Sequence, residues 1–253
     1  MLASFYPPEK GRAIAGMLML AILAACGPAP APQGINDPAE GFNRSVHGLN
    51  LALDRAFVRP ASEGYGHILP QPVRTGVSNF ASNLNLPGEI VNGLLQGRVM
   101  NATENTLRFA VNTIAGVGGI FDPATVLGVK GKRTDFGETL HVWGVGEGPY
   151  LEMPGMGPTT ARDLTGTVVD VVMNPVSMAL DAPEKYWSMG IKAASKLGDR
   201  YRYSDTIDSI LYESADSYAQ ARLLYLQNRR YELGQSAGSE AAFEDPYEDP
   251  YAQ

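Results

Sequence analysis

Glycine and proline interrupt this chain so often that a bundle of long helices is disfavoured. Its 253 residues include 28 Gly and 18 Pro, which are scattered and form no repeat. Bundles favour long helices joined by short loops, whereas glycine and proline mark the ends of regular elements. Between these breaks, apolar residues recur at helical spacing, as from Phe42 through Val46 and Leu49 to Phe57. We therefore predict an all-α fold made mostly of short amphipathic helices.

Terminal signals place the individual helices. Asp37 and Pro38 have the residue types that begin a helix, and Arg59-Pro60 is predicted to end it because the residue before proline avoids the helical conformation. The longest helix is predicted over residues 204–233. Residues 144–157, which hold five glycines and two prolines, are predicted to form a loop or a small hairpin. Shorter helices are predicted over residues 72–83, 87–96, 99–115, 134–143, 158–173 and 183–197.

The N-terminus has the pattern of a lipoprotein signal peptide. Lys10 and Arg12 precede an apolar run over residues 13–23 that is too short to span a bilayer. Small residues then lead directly into Cys26, the only cysteine, as in bacterial lipoproteins. We predict a signal peptide over residues 1–25 and lipidation of Cys26. The alternative is a buried free thiol behind an ordinary signal peptide.

Two segments flank the predicted helical domain of residues 37–234. Residues 26–36 are a proline-rich tether, which could extend about 30 Å from the acyl chains or fold back along the domain. Residues 235–253 are acidic, contain no Lys or Arg, and are predicted to be disordered. The net charge of −7 gives no basic surface for nucleic acid and no polybasic patch for anionic lipid.

The sequence offers no recognisable catalytic or metal site. His47, His67 and His141 lack zinc-site spacing, and no GxSxG nucleophile motif is present. Residues 116–119 (GVGG) follow a predicted helix rather than a strand, which favours a helix stop over a phosphate loop. We therefore predict no cofactor, no metal and no catalytic residues.

Four blocks of the sequence resemble the MlaA/VacJ lipoproteins. They are residues 36–65 (NDPAEGFNRSVHGLNLALDRAFVRPASEGY), 69–81 (LPQPVRTGVSNFA), 112–123 (NTIAGVGGIFDP) and 136–163 (FGETLHVWGVGEGPYLEMPGMGPTTARD). The resemblance implies a single-domain helical ring with a central amphipathic channel, lipid-anchored in the periplasmic leaflet of the outer membrane. It implies that the protein takes mislocalised phospholipid from the outer leaflet to a periplasmic lipid-carrier protein and associates with a trimeric porin. It also implies that the protein is not an enzyme.

Candidate residues for the channel follow from this picture. Phe42 and Asn43 lie near the start of the first helix, and Tyr150, Leu151 and Met153 lie in the centre of the glycine-rich segment, which is a candidate gate because glycines absorb hinge rotations. A rigid edge loop explains that segment equally well. The candidate hinge residues are Gly144, Gly146, Gly148, Gly155 and Gly157.

Two other functions stay open on the sequence. A periplasm-facing lipid or cell-wall hydrolase would need a nucleophile and a base, and the sequence nominates neither. A purely structural lipoprotein that packs against porins would need no channel.

Overall fold

The computed structural model describes residues 28–30, 32, 34–181 and 183–235. The predicted signal peptide, the lipidation site Cys26 and the tail from residue 236 onward lie outside them. In chain order the described elements are α1 (Glu40–Leu53), a first π-helical turn (Asp54–Val58), α2 (Arg59–Ile68), α3 (Gln71–Asn83), α4 (Leu86–Leu95), α5 (Val99–Ile114), α6 (Pro123–Val126), α7 (Phe136–Val142), β1 (Tyr150–Met153), β2 (Gly157–Thr160), α8 (Ala161–Val172), α9 (Pro175–Ala179), α10 (Glu184–Arg202), α11 (Ser204–Asp208), a second π-helical turn (Ser209–Glu213) and α12 (Ser217–Glu232).

The predicted helical fold with one hairpin is confirmed. The two strands pair antiparallel, with Tyr150 opposite Thr160 and Met153 opposite Gly157. The connection between them turns at Gly155 and Gly157, whose φ angles of +71° and +86° lie in the left-handed region that favours glycine. The hairpin occupies part of the segment in which the sequence predicted a loop or small hairpin.

The first helix does not end at Arg59-Pro60, so that prediction was wrong. A π-helical turn follows α1, and the backbone N–H of Arg59 donates to the carbonyl of Asp54, five residues back. The helix then restarts with Pro60 in the first turn of α2, where a missing N–H costs little. The π-helical turn thus lets a helical segment pass through a proline.

The predicted long helix over residues 204–233 is also divided. Ser214 is extended, with φ −75° and ψ 149°, and ends the second π-helical turn. Asp216 then caps α12 by accepting a hydrogen bond from the N–H of Ala219. The predicted helix over residues 158–173 begins later than expected, because Pro158 to Thr160 belong to β2 and Thr160 caps α8.

The elements pack in a closed circuit. Starting from α1, contacts run through the hairpin to α8, then to α7, α4, α5, α3, α10, α2 and the first π-helical turn, which returns to α1. Helix α12 packs on β2 and the second π-helical turn. Helices α7 and α8 cross so closely that a Cβ added at Gly166 would lie 2.2 Å from the backbone nitrogen of Gly137.

Polar and apolar side chains are distributed in the reverse of the usual sense. Helix α5 has an apolar side and a polar side, and the polar side is the buried one. Asn105 and Asn112 are 1% and 4% exposed, whereas Leu107 and Ile114 are 50% and 84% exposed. Across the described residues, exposed large hydrophobic side chains far outnumber buried ones. Contiguous exposed apolar surface marks a site of contact with lipid or protein.

Ion pairs join neighbouring elements of the circuit. Arg200, which is 7% exposed, donates to Asp54 at 2.9 Å and to Asp208 at 2.6 Å, and so links α10 to the first π-helical turn and α11. We call this set the seam ion pairs. Its other members are Arg222 with Asp37, Arg229 with Asp135 and Asp163, Arg230 with Glu147, Arg108 with Asp122, and Arg98 with Glu138.

The described helices were also compared with the length and hydropathy of a membrane-spanning helix. None of them is both long and apolar enough to cross a membrane.

Candidate functional site: the central cavity

A cavity of about 1310 Å³ lies among the helices of the circuit. Its walls come from α3, α4, α7, α8, α10 and α12 and from the segment that precedes α7. These elements are far apart in sequence, so no single stretch of the chain builds the site. We call this space the central cavity.

Charged side chains dominate the wall of the central cavity. Some of them belong to the seam ion pairs, as Asp135 and Arg229 do. Lys132 and Glu232 pair with Glu138 and Arg229, respectively. A third group makes no side-chain hydrogen bond or ion pair with a described residue, and we call its members the open charges. They are Glu89, Arg133, Lys192, Lys196, Asp199 and Arg202.

Burial acts directly on two of the open charges. It raises the pKa of Glu89 to about 7, although the positive charges of Arg133 and Arg108 oppose this rise. Burial also lowers the pKa of Lys192 below its ordinary value. In both cases the charged form is disfavoured because no fixed partner replaces lost water. A ligand with charges of both signs would supply such partners.

A side chamber of about 270 Å³ adjoins the central cavity between α3, α5 and residues 130–133 (KGKR). Helix α5 holds this basic loop in place. Asn105 donates to the carbonyl of Lys132 at 2.9 Å and accepts from its N–H at 3.1 Å, and Arg108 donates to the carbonyl of Val129 at 2.7 Å. Gly131 has φ +64° and lies so close to Asn105 that a Cβ there would meet its Oδ1 at 2.3 Å.

The channel and gate candidates from the sequence lie elsewhere. Phe42 is 67% exposed on α1, and Tyr150 is 1% exposed, with its ring packed on Tyr218. Leu151 and Met153 are half-buried in β1. None of them belongs to the wall of the central cavity.

Asn43 joins α1 to the hairpin. It is fully buried, donates to the carbonyl of Tyr150 at 3.2 Å, and accepts from the N–H of Glu152 at 3.1 Å. Asn50 makes a second connection, because it donates to the carbonyl of Met153 and accepts from the N–H of Gly155. The structure thus brings Asn43 together with Tyr150, but as a fixed attachment of the strand. A gating role for these residues stays a prediction.

The hinge candidates divide by backbone conformation. Gly144, Gly148, Gly155 and Gly157 have φ angles between +71° and +87°, whereas Gly146 is not among the residues with positive φ. At these four positive-φ positions the turn itself favours glycine. Whether the segment also moves stays a prediction.

Ser217, His47 and Glu152 form a hydrogen-bonded chain between α12, α1 and β1. The Nε2 of His47 lies 3.1 Å from the Oγ of Ser217, and its Nδ1 lies 3.3 Å from the Oε1 of Glu152. A hydrolase uses this order of residues. Here, however, His47 is 5% exposed and Ser217 is not part of any described cavity wall. With Tyr218 packed against the His47 ring, the arrangement fixes α1, β1 and α12 to one another.

The described tether residues fold back along the helical domain. The N–H of Ala29 donates to the carbonyl of His141 at 3.0 Å, and Gln235 donates to the carbonyl of Ala29 at 3.2 Å. Arg230 donates to the carbonyl of Gly34. Of the two tether conformations that the sequence left open, the structure has the folded-back one.

Sequence reasoning missed the open charges. The KGKR run at residues 130–133 was a usable signal, because it places three cations in four residues of a segment without helical periodicity. Lys192 and Lys196 were a second signal, since residues four apart share one face of a helix. Glu89 gave no signal, because its burial depends on elements distant in the chain.

The chain is similar in sequence to a known family of lipoproteins. The family model described as MlaA lipoprotein matches residues 35–232. The chain is 38% identical over 206 residues to the intermembrane phospholipid transport system lipoprotein MlaA of Escherichia coli (strain K12), and the match covers 79% of each protein. The protein with the same name from Haemophilus influenzae is 32% identical over 203 residues, covering 78% of this chain and 79% of the relative.

A solved structure agrees with the sequence matches. It comes from work on the structural basis for maintenance of bacterial outer membrane lipid asymmetry. It superposes with a TM-score of 0.67 at 30% identity and covers 78% of this chain and 98% of the solved chain. Together these matches show that the chain belongs to the MlaA lipoprotein family.

Proposed function

We propose that the protein transports phospholipid across part of the bacterial cell envelope and so helps to maintain outer-membrane lipid asymmetry. It takes mislocalised phospholipid from the outer leaflet and passes it through the central cavity to a periplasmic carrier. The relatives from Escherichia coli and Haemophilus influenzae carry the name of a phospholipid transport lipoprotein. Membership of this family also supports the prediction that the protein is not an enzyme.

One observation carries the proposal: a cavity walled by charge lies in a protein that exposes many large hydrophobic side chains. A phospholipid has a charged headgroup and two apolar tails, so its route needs polar groups that replace water around the headgroup. The open charges supply cations for the phosphate, and Glu89 and Asp199 supply anions. The exposed apolar side chains suit contact with lipid or with an apolar protein surface.

The anchor and the partners are part of the same proposal. Lipidation of Cys26 holds the protein in the periplasmic leaflet of the outer membrane, where a trimeric porin packs against its apolar exterior. Ala29 is hydrogen-bonded to His141, and it lies only three residues after Cys26 in the chain. An extended chain of that length places Cys26 at most about 11 Å from Ala29. The tether would then hold the helical domain against the membrane instead of suspending it in the periplasm.

The structure restricts how the hairpin could act as a gate. Asn43 and Asn50 hold β1 and the turn against α1, so a gate would have to move at the residues on either side of this attachment. Gly144, Gly146 and Gly148 lie on one side of it. We keep them as the proposed hinge, with the strands moving as a unit.

The hydrolase alternative rests on the Ser217–His47–Glu152 chain. Esterase activity that is lost in both Ser217→Ala and His47→Asn would support it. The buried position of His47 and the absence of Ser217 from the described cavity walls argue for a structural role instead.

Blocking the central cavity tests the transport proposal. The purified lipoprotein is placed in liposomes that contain a fluorescent phospholipid, and transfer to a soluble lipid-binding acceptor is followed. Ala193→Trp puts a large side chain into the cavity wall, and Ala52→Trp makes the same change at an exposed position on α1 that lies outside the wall. We expect transfer to fall at least tenfold in the first variant and little in the second. Equal transfer in both variants would show that lipid does not use the cavity.

A further inference from the structure

The central cavity and the side chamber share one part of their walls. The residues common to both are Ser78, Ser82, Glu89, Lys132 and Arg133, and we call this set the junction. The side chamber, at about 270 Å³, is much smaller than the central cavity at about 1310 Å³. It suits the size of a headgroup better than that of acyl chains.

Glu89 is the acidic group at the junction. It lies in the first turn of α4, it is half-buried, and its carboxylate makes no hydrogen bond or ion pair with a described residue. The nearby acid Asp122, in contrast, is held by Arg108, Asn112 and Thr125. A half-buried carboxylate without a donor is costly. Its burial is compensated when a ligand supplies a positively charged donor.

The cationic groups at the junction and in the adjoining wall of the side chamber come from the KGKR loop. Lys130 and Arg133 are exposed toward the side chamber and form no ion pair with a described residue, and Lys132 lies 3.8 Å from Glu138. Because Asn105 fixes the backbone of Lys132 through two hydrogen bonds, the loop is held before any ligand arrives. Guanidinium and ammonium groups held in this way are well suited to a phosphate.

We propose that the junction is a headgroup-selective site that prefers phospholipids whose headgroup carries both a phosphate and a primary ammonium. Arg133 at the junction and Lys130 in the adjoining wall of the side chamber contact the phosphate, and Glu89 accepts hydrogen bonds from the ammonium. This inference rests on the proposed function, because it assigns a substrate class to the same transport route.

The other common headgroups fit less well. A quaternary choline has no N–H to donate and is favoured by aromatic faces. No aromatic residue lines the part of the side chamber that the structure describes. A glycerol headgroup has no positive charge and leaves the Glu89 carboxylate uncompensated. Of the three headgroups, only phosphoethanolamine offers a phosphate to the cations and an N–H donor to Glu89.

Competition between lipids tests this preference. The full lipoprotein in detergent is incubated with an equimolar mixture of phosphatidylethanolamine, phosphatidylglycerol and phosphatidylcholine that have matched acyl chains. Bound lipid is then counted by native mass spectrometry. We expect the wild type to retain phosphatidylethanolamine about tenfold over the other two, the size expected for one hydrogen bond to a charged group.

Three variants separate the groups. Glu89→Gln should bring the preference close to one while the protein still binds lipid. Glu104→Gln, which makes the same charge change at an exposed α5 residue outside both cavity walls, should leave the preference intact. Arg133→Gln should weaken retention of all three lipids alike, because each carries the phosphate. An unchanged preference in Glu89→Gln would overturn the assignment.

The remaining outcomes distinguish this inference from the function beneath it. If the wild type binds all three lipids equally, the headgroup site is wrong and the transport proposal stands. If no phospholipid is bound by any form of the protein, the transport proposal fails as well. An arm with free phosphoethanolamine identifies the source of the headgroup, because tighter binding of that soluble compound than of the lipid would refute a lipid site.

Discussion

The seam ion pairs and the open charges use the same residue types in opposite ways. At the seams, each cation meets a carboxylate of a neighbouring element, as Arg200 does with Asp54 and Asp208. At the cavity wall, Lys192, Lys196 and Glu89 have no fixed partner among the described residues. Paired charges join the elements of the circuit, whereas open charges make no such link and are available to a ligand. The difference distinguishes the residues that build this protein from those that serve its cargo.

The largest effect is expected from removing a seam cation. Arg200→Met leaves Asp54 largely buried without its ion-pair partner and leaves Asp208 paired with Arg59 alone, so the free energy of unfolding should fall by about 3–5 kcal/mol. Denaturant unfolding of the detergent-solubilised protein measures this change. Arg202, two residues away, is an open charge, and Arg202→Met should change the free energy by less than about 0.5 kcal/mol. Equal losses in the two variants would remove the distinction between seam and cavity.

An intermediate effect of opposite sign is expected from Glu89. Burial raises its pKa in the folded protein to about 7 from 4.5, so the ionised carboxylate destabilises the fold as pH rises through that window. Glu89→Gln should therefore raise Tm by about 2–4 °C above pH 7, and this gain should disappear toward pH 4.5. Thermal melts across this range test it, with Glu104→Gln as the control. A lower Tm at every pH would mean that Glu89 stabilises the fold.

The smallest effect is expected at the Ser217–His47–Glu152 chain. Ser217→Ala removes one hydrogen bond to His47 and should lower the free energy of unfolding by about 1 kcal/mol. Phospholipid transfer should be unchanged, because Ser217 lies outside the wall of the central cavity. A large loss of transfer without loss of stability would give this region a functional role.

The helices could be predicted from the sequence because their signals are local. The prolines in the first turns of α3 and α4 lie within the elements they start. The cap predicted from Asp37 was wrong, because Ala39 is the N-cap residue of α1 without a side-chain cap, and Asp37 binds Tyr218 and Arg222. The break at Ser214 was missed. Acidic residues between 204 and 216 are compatible with the first half of one long helix, and they are equally compatible with the cap and the ion pairs that they form in the structure. Likewise, the π-helical turn before Arg59-Pro60 is a rearrangement of backbone hydrogen bonds that composition does not reveal.

The candidate site was harder to predict, for a different reason. Periodicity shows that α5 has two sides but not which side meets water, and in this protein the side with Asn105 and Asn112 is the interior one. Asn43 was selected from its position near the helix start, yet its role depends on Tyr150 and Glu152, more than one hundred residues away. Contacts at that separation are set by the assembled circuit rather than by local sequence.

Substitution of two open cations tests the central claim most directly. Lys192 and Lys196 line the central cavity and have no ion pair in the described structure. In the double variant Lys192→Gln and Lys196→Gln, we predict that phospholipid transfer from liposomes falls about tenfold while Tm is unchanged or higher. Unchanged transfer, or a fall in transfer matched by a fall in Tm, would contradict the claim that these charges serve the lipid and not the fold.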